Sequence, residues 1–306
     1  MLPARPVAVA GVRAVGSAPV ITAHPRRGRN LPLLALCLSA GMLACLGAVA
    51  SGSATSGTDA ATLQRIDTAL AGEQRSSENR ARDVYRHPRQ TLQFFGLRSD
   101  MSIIEITPGG GWYAEILAPV VKDHGHYAAA LAPPKSAGAE DTQSLKALKA
   151  LFARYPQLMG TLHTVPFGPS VTEMAPAGSV DMILTFRNLH NWIEGGWADK
   201  ALSLMFKALK PGGILAIADH RGNPAVPQDP KAKSGYVNED YAIKLIEAAG
   251  FRLAGRSEIN ANPRDTRDYK EGVWTLPPTL MLGEKDRDKY LKIGESDRYT
   301  LKFRKP

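Results

Sequence analysis

Ile103-Ile104-Glu105-Ile106-Thr107-Pro108-Gly109-Gly110-Gly111-Trp112-Tyr113-Ala114 is an apolar, strand-like run that reaches an acid, turns through three glycines and opens a helix. Glycines permit positive φ and let a ligand approach the backbone closely. The free amides at the start of the following helix add a partial positive charge. Strand, glycine-rich turn and helix in this order make the frame that holds a nucleotide-type cofactor.

Glu105 stands four residues before Gly109. A carboxylate there repels a pyrophosphate at close range and favours a ligand that carries positive charge. S-adenosylmethionine meets that condition: its sulfonium and ammonium suit the carboxylate, and its own carboxylate suits the turn amides. The string Gly109-x-Gly111-x-x-Ala114 also satisfies the dinucleotide fingerprint, so an NAD-type oxidoreductase stays open, as does a glycine turn with no ligand.

Outward from this turn the chain alternates strand and helix. Strands are expected at 102–106, 126–131, 161–166, 180–186 and 214–219, with helices at 112–121, 141–154, 197–209 and 238–249. Lys210-Pro211-Gly212-Gly213 reads as a helix stop with turn chemistry, and the run after it is apolar on both faces, as a buried parallel strand requires. Residues 251–259 and 299–304 complete seven strands. The pattern predicts an α/β fold, a Rossmann-like, mostly parallel sheet with helices on both faces and ligands at the carboxyl ends of the strands. Residues 60–72 and 79–97, the latter interrupted by Pro88, are expected as lead-in helices. The charged segment 260–298 is expected as an arm over the active-site face.

Residues 1–50 carry five arginines, no acid and an apolar run from Leu31 to Ala50 that ends in Ala48-Val49-Ala50, which reads as an export signal or N-terminal anchor. Both cysteines, Cys37 and Cys45, fall inside it, so the remainder has no thiol chemistry. Subtracting those five arginines from the formal +9 of the chain leaves +4, dispersed rather than striped. Nucleic acid is therefore not an expected partner, and a membrane is expected only through the N-terminal segment. The expected location is the periplasm or an anchored, exported position. Residues 51–79 read as linker and lead-in, and 80–306 as the functional domain.

Over residues 80–306 the chain resembles a bacterial family of class I S-adenosylmethionine-dependent methyltransferases, often exported. The resemblance rests on Arg82-Asp83-Val84-Tyr85-Arg86-His87-Pro88, on Glu105 through Tyr113, on Arg187-Asn188-Leu189-His190-Asn191-Trp192, on Asp219-His220-Arg221 and on Leu301-Lys302-Phe303-Arg304-Lys305-Pro306. It implies S-adenosylmethionine at the glycine turn, a seven-stranded sheet with an antiparallel last pair, and methyl transfer to an acceptor it leaves undefined; a small-molecule substrate is the expected partner. The chain departs from the class at the end of strand 2, where Ala130-Leu131-Ala132-Pro133 replaces the acid that holds the ribose. Glu140 or Asp141 is a candidate to compensate.

The cofactor-binding candidates are Glu105, Thr107, Pro108, Gly109, Gly110 and Gly111 after strand 1, and Phe186, Arg187 and Asn188 after strand 4. Arg187 is also a candidate partner for Glu105 or for an anion on the substrate. His190 is the first candidate for a catalytic base, with His87 and Tyr85 as further candidates near the same face. Phe167 is expected in the core. A metal at Asp219-His220 with His190 is set aside, because no short-spaced histidine or cysteine pair accompanies it. A non-catalytic, exported binding protein remains an alternative to the enzyme, since a periplasmic enzyme lacks an evident supply of a cytoplasmic cofactor.

Overall fold

A computed structural model describes residues 57–134, 136 and 140–306. The export segment expected at 1–50, with both cysteines, lies outside the described residues. Among the described residues no helix is long and apolar enough to cross a membrane.

Seven strands form one sheet: β1 (Ser102–Ile106), β2 (His126–Leu131), β3 (His163–Pro166), β4 (Val180–Phe186), β5 (Leu209–His220), β6 (Arg252–Ser257) and β7 (Arg298–Arg304). Their order is β3-β2-β1-β4-β5-β7-β6, with β1 to β5 parallel and β7 antiparallel to both neighbours. The mostly parallel seven-stranded sheet expected from the alternation is the one found.

Period-two alternation decides which residues go to which layer. Ile103, Met182, Leu184, Ile214 and Ala216 point into a core closed by α1 (Ala60–Ala71), α4 (Pro88–Phe95), α5 (Ala114–Val121) and α6 (Gln143–Arg154). Their strand neighbours Ile104, Ile106, Ile183, Leu215 and Ile217 point the other way, against α8 (Leu189–Glu194), α9 (Ala198–Ala208) and α10 (Glu239–Ala248). Each fully buried Leu, Ile or Phe in these layers contributes roughly 1.5–3 kcal/mol.

Several expectations are corrected. The lead-in 79–97 is three pieces, α2 (Ser77–Arg80), α3 (Asp83–Arg86) and α4. A residue before proline is disfavoured in the α region; His87, before Pro88, takes φ 39° and ψ 54° and forms the joint. Lys210–Gly213 follows the end of α9 as expected, but the fifth strand already begins before it at Leu209 and the four residues bulge from it: Val180 pairs Leu209 and Met182 pairs Ile214, while Gly212 turns at φ 78°. The six-residue α8 was not anticipated, being too short to show a period. The segment 260–297 holds a 3-10 turn (Gly272–Thr275) and α11 (Arg287–Ile293), after α7 (Pro156–Met159) in chain order.

Candidate functional site

At the carboxyl end of the sheet the chain takes unusual backbone angles. Thr107 sits at φ 47°, Gly109 at 59° and Gly111 at 89°, and across the sheet Arg187, which follows β4, sits at 62°. A β-branched residue in this region is strained by about 1–3 kcal/mol, a cost that persists only when neighbours hold it in place. Here Thr107 N donates to Ala130 O, and Arg187 N to Ala218 O. Asn188 Nδ2 donates to Ile106 O at 2.9 Å, tying the end of β4 to the end of β1.

Between these two strand ends lies a cavity of about 310 Å³. Of the residues expected at the cofactor, Glu105, Thr107, Pro108, Gly109 and Gly110 line it from β1, and Phe186, Arg187 and Asn188 line it from β4. A Cβ added at Gly109 or Gly110 would meet no atom within 4 Å and would occupy the cavity itself. Gly111 does not line it. Its Cβ would lie 3.2 Å from the Leu148 and Leu151 side chains, so Gly111 serves close packing of α6 behind the turn.

Glu105 is 2% exposed and accepts a hydrogen bond of 2.8 Å from Tyr127 Oη. Burial pushes its carboxyl up to about 8, and the Tyr127 hydrogen bond offsets only part of that. The standing negative charge expected from the sequence is therefore largely absent at neutral pH until a cation arrives beside it. Nor does Arg187 pair with Glu105. An acid whose folded pKa lies above its unfolded value stabilises fully below the unfolded pKa, and that stability is lost as pH rises through the folded one. Glu105→Gln removes this loss and is expected to stabilise the ligand-free protein by ~1–3 kcal/mol at pH 8 and hardly at all at pH 4, read as the pH dependence of urea midpoints.

Arg82 and Arg86, which also line this cavity, belong to a cluster that the sequence alone does not reveal. Arg82 Nε donates to Glu295 Oε1 at 2.7 Å and Arg86 Nε to Oε2 at 2.9 Å, while Arg298 Nη2 lies 3.1 Å from Oε2. Burial would push the Glu295 carboxyl up, but Arg298, Arg86, Arg82 and Arg187 together hold it down at about 2. Four guanidinium groups thus surround one carboxylate. Arg82 Nη2 and Arg86 Nη2 are buried without a hydrogen-bond partner among the described residues, and both side chains line the cavity. Burial and the neighbouring Arg187 work against the charge of Arg86. Trp112 fixes this wall: Arg86 stacks 4.6 Å from its ring centroid, Arg75 5.0 Å, and its Nε1 donates to Asn79 O.

A second cavity, of about 240 Å³, adjoins the first at Arg187. It contains His190, His220, Glu295 and Ser296, and the expected arm closes it with Val273, Trp274, Pro277 and Pro278. Asp219, the last residue but one of β5, is fully buried; its oxygens accept from Leu189 N and His220 N at 2.7 Å each, and its Oδ1 lies 3.2 Å from His190 Nδ1. A carboxylate at Nδ1 assigns the proton to that nitrogen and leaves Nε2 as the acceptor. His220 Nδ1 contacts Ser296 Oγ, and burial followed by the His190 and Arg187 charges pushes its pKa well below the usual value.

His190, Asp219 and His220 offer ligand atoms within 4.8 Å of one another. The carboxylate is already committed to two amides and an imidazole, however, and Arg187 and Arg298 place positive charge beside the histidines. The arrangement suits an oriented base better than a cation site.

His87 and Tyr85 line neither cavity, whereas Arg86 between them and Arg82 before them line the first. Arg82 and Arg86 are four apart, a spacing that shares a helical face, which was the available signal. At the end of β2, Glu140 and Asp141 form exposed ion pairs with Lys146 and Lys149 and line neither cavity. Phe167 packs in the core against Trp192 and Trp197, as expected.

No family model matches the sequence, and a search of curated proteins returns no relative. Among solved structures the chain is similar to the [4+2]-cyclase SpnF, with 17% identity over 80% of this chain and 93% of that one and a TM-score of 0.50. It is also similar to a SAM-dependent methyltransferase from Aquifex aeolicus, with 16% identity, 79% and 97% coverage and a TM-score of 0.49. The sheet is that of the Rossmann-like class I methyltransferase fold. At such identities the likeness concerns the fold, and chemistry has to be argued from the site.

Proposed function

We propose that the protein binds S-adenosylmethionine in the first cavity and transfers its methyl group to a small acceptor held in the second. One observation carries the reading: a single cavity is lined by an acid, Glu105, and by donors without partners. Besides Arg82 Nη2 and Arg86 Nη2, the amides of Gly109 and Gly110 have no acceptor among the described residues. That donor set suits the ammonium and carboxylate of a zwitterionic amino acid end. A dinucleotide has no ammonium to donate to Glu105 and brings a pyrophosphate to the turn instead.

When bound, S-adenosylmethionine supplies a methyl carbon on a sulfonium, so that displacement by an acceptor lone pair leaves a neutral thioether and frees one acceptor proton. Arg82, Arg86 and the turn amides hold the carboxylate end, and Glu105 faces the cationic part. His190 Nε2, set by Asp219, takes the acceptor proton. Arg187 and Asn188 keep the two cavities in register, and orientation of this kind can remove roughly 7–11 kcal/mol from a barrier.

Calorimetric titration with S-adenosylmethionine and with NAD tests the reading; binding of NAD with indifference to the sulfonium overturns it. Because Glu105 must release a proton to face a cation, affinity is expected to rise about tenfold per pH unit below 8 and to level off above it, with about one proton released per ligand at pH 6.5. Buffers of different ionisation enthalpy measure that proton directly. Gly111→Val requires a branched residue at φ 89° against Leu148 and Leu151, and is expected to abolish binding in a protein that keeps its far-ultraviolet circular dichroism.

A further inference from the structure

Arg187 stands apart from the other arginines of the site. It lines both cavities, yet among the described residues its guanidinium makes no hydrogen bond and no ion pair within 4.0 Å. Glu295, the acid in the cluster, is already held by Arg82, Arg86 and Arg298. The first cavity has its own donors for a carboxylate in Arg82 and Arg86. A buried or half-buried cation without a partner is costly, and a guanidinium fork matches a planar carboxylate in two parallel hydrogen bonds.

The second cavity is small and carries one large aromatic side chain, Trp274, in its lining. Trp274 and the Pro277-Pro278 pair form part of its lining, Trp274 packs edge-on to His190 at 6.1 Å between centroids, and about 240 Å³ falls below the usual 300–1,000 Å³ of ligand pockets. A single ring fits that space. Arg187, His190, His220 and Trp274 all line this one small space, and Arg187 lines the first cavity as well.

We propose that the acceptor is a single-ring aromatic acid of the hydroxybenzoate class, its carboxylate held by Arg187, its ring on Trp274 and its hydroxyl directed to His190. This rests on the methyl-transfer reading above and adds Arg187 as the residue that selects the charge of the acceptor.

Calorimetry on the full chain, saturated with S-adenosylhomocysteine, tests it with 4-hydroxybenzoate against the neutral isostere 4-hydroxybenzamide. The acid is expected to bind about tenfold or more tightly, the worth of one charge-assisted pair. Arg187→Met should erase that preference by weakening the acid about tenfold while the amide binds as before. Trp274→Leu should weaken acid and amide alike. Equal binding of the two probes, or binding of neither by a protein that holds S-adenosylhomocysteine, overturns the proposal. So does an Arg187→Met variant that loses S-adenosylhomocysteine and keeps the acid preference, because Arg187 would then serve the first cavity. A parent that ignores S-adenosylhomocysteine and S-adenosylmethionine alike removes the methyl-transfer reading instead, and the comparison of acid with amide then reports on the second cavity alone.

Discussion

Glu295→Ala is expected to destabilise the protein by about 3–5 kcal/mol, the usual cost of leaving a buried charge uncompensated. Glu295 is 3% exposed, and Arg86 and Arg298 beside it are nearly as buried, so their charges would remain in the interior with nothing to face. For a domain of this size the loss corresponds to a fall in Tm of roughly 10 °C. Glu295→Gln keeps the shape and part of the hydrogen bonding, and should recover a fraction of the loss. The pH dependence separates charge from packing. Because the Glu295 carboxyl is held down at about 2, its contribution is complete above the ordinary carboxylate range and disappears as pH falls toward 2. Parent and Glu295→Gln should therefore differ fully at pH 7 and converge in acid. Unchanged urea midpoints at pH 7 would show that the arginines are solvated rather than dependent on Glu295.

His190→Ala is expected to lower kcat by about 10²–10⁴-fold, the range a positioned base supplies when the nucleophile must lose a proton. The affinity for S-adenosylmethionine should stay nearly unchanged, since His190 lines the second cavity and not the first. Asp219→Asn leaves an oxygen for one of the amides at Leu189 and His220 but removes the carboxylate that orients His190 Nδ1. It should lower kcat with a small effect on KM. Formation of S-adenosylhomocysteine, followed with an acceptor that the parent turns over, measures both. Parent-like turnover in His190→Ala would take the imidazole out of the chemistry and leave alignment alone as the source of rate.

How much could be read in advance varies with the distance over which each feature is decided. The strand ends carry the expected residues: eight of the cofactor candidates line one cavity, and His190 faces a second cavity beside it. His87 and Tyr85 line neither cavity: His87 is the left-handed joint before Pro88, and Tyr85 sits in α3 beside Arg86, which does line the first. The arginine cluster was invisible for another reason: Arg82 and Arg86 meet Glu295 across 213 and 209 residues. No local period or spacing connects them.

By itself the sequence determined the alternation of strands and helices, the strand-turn-helix at 102–121 and the placing of the candidate site at the strand ends. Alternation and turn chemistry act between near neighbours, and one chain in isolation carries them. Only the tertiary structure decided the protonation of Glu105, the orientation of His190 by Asp219 and the isolation of Arg187. Each of these depends on desolvation and on charges brought together from distant segments, and a side chain acquires that environment only when the whole sheet has closed around it.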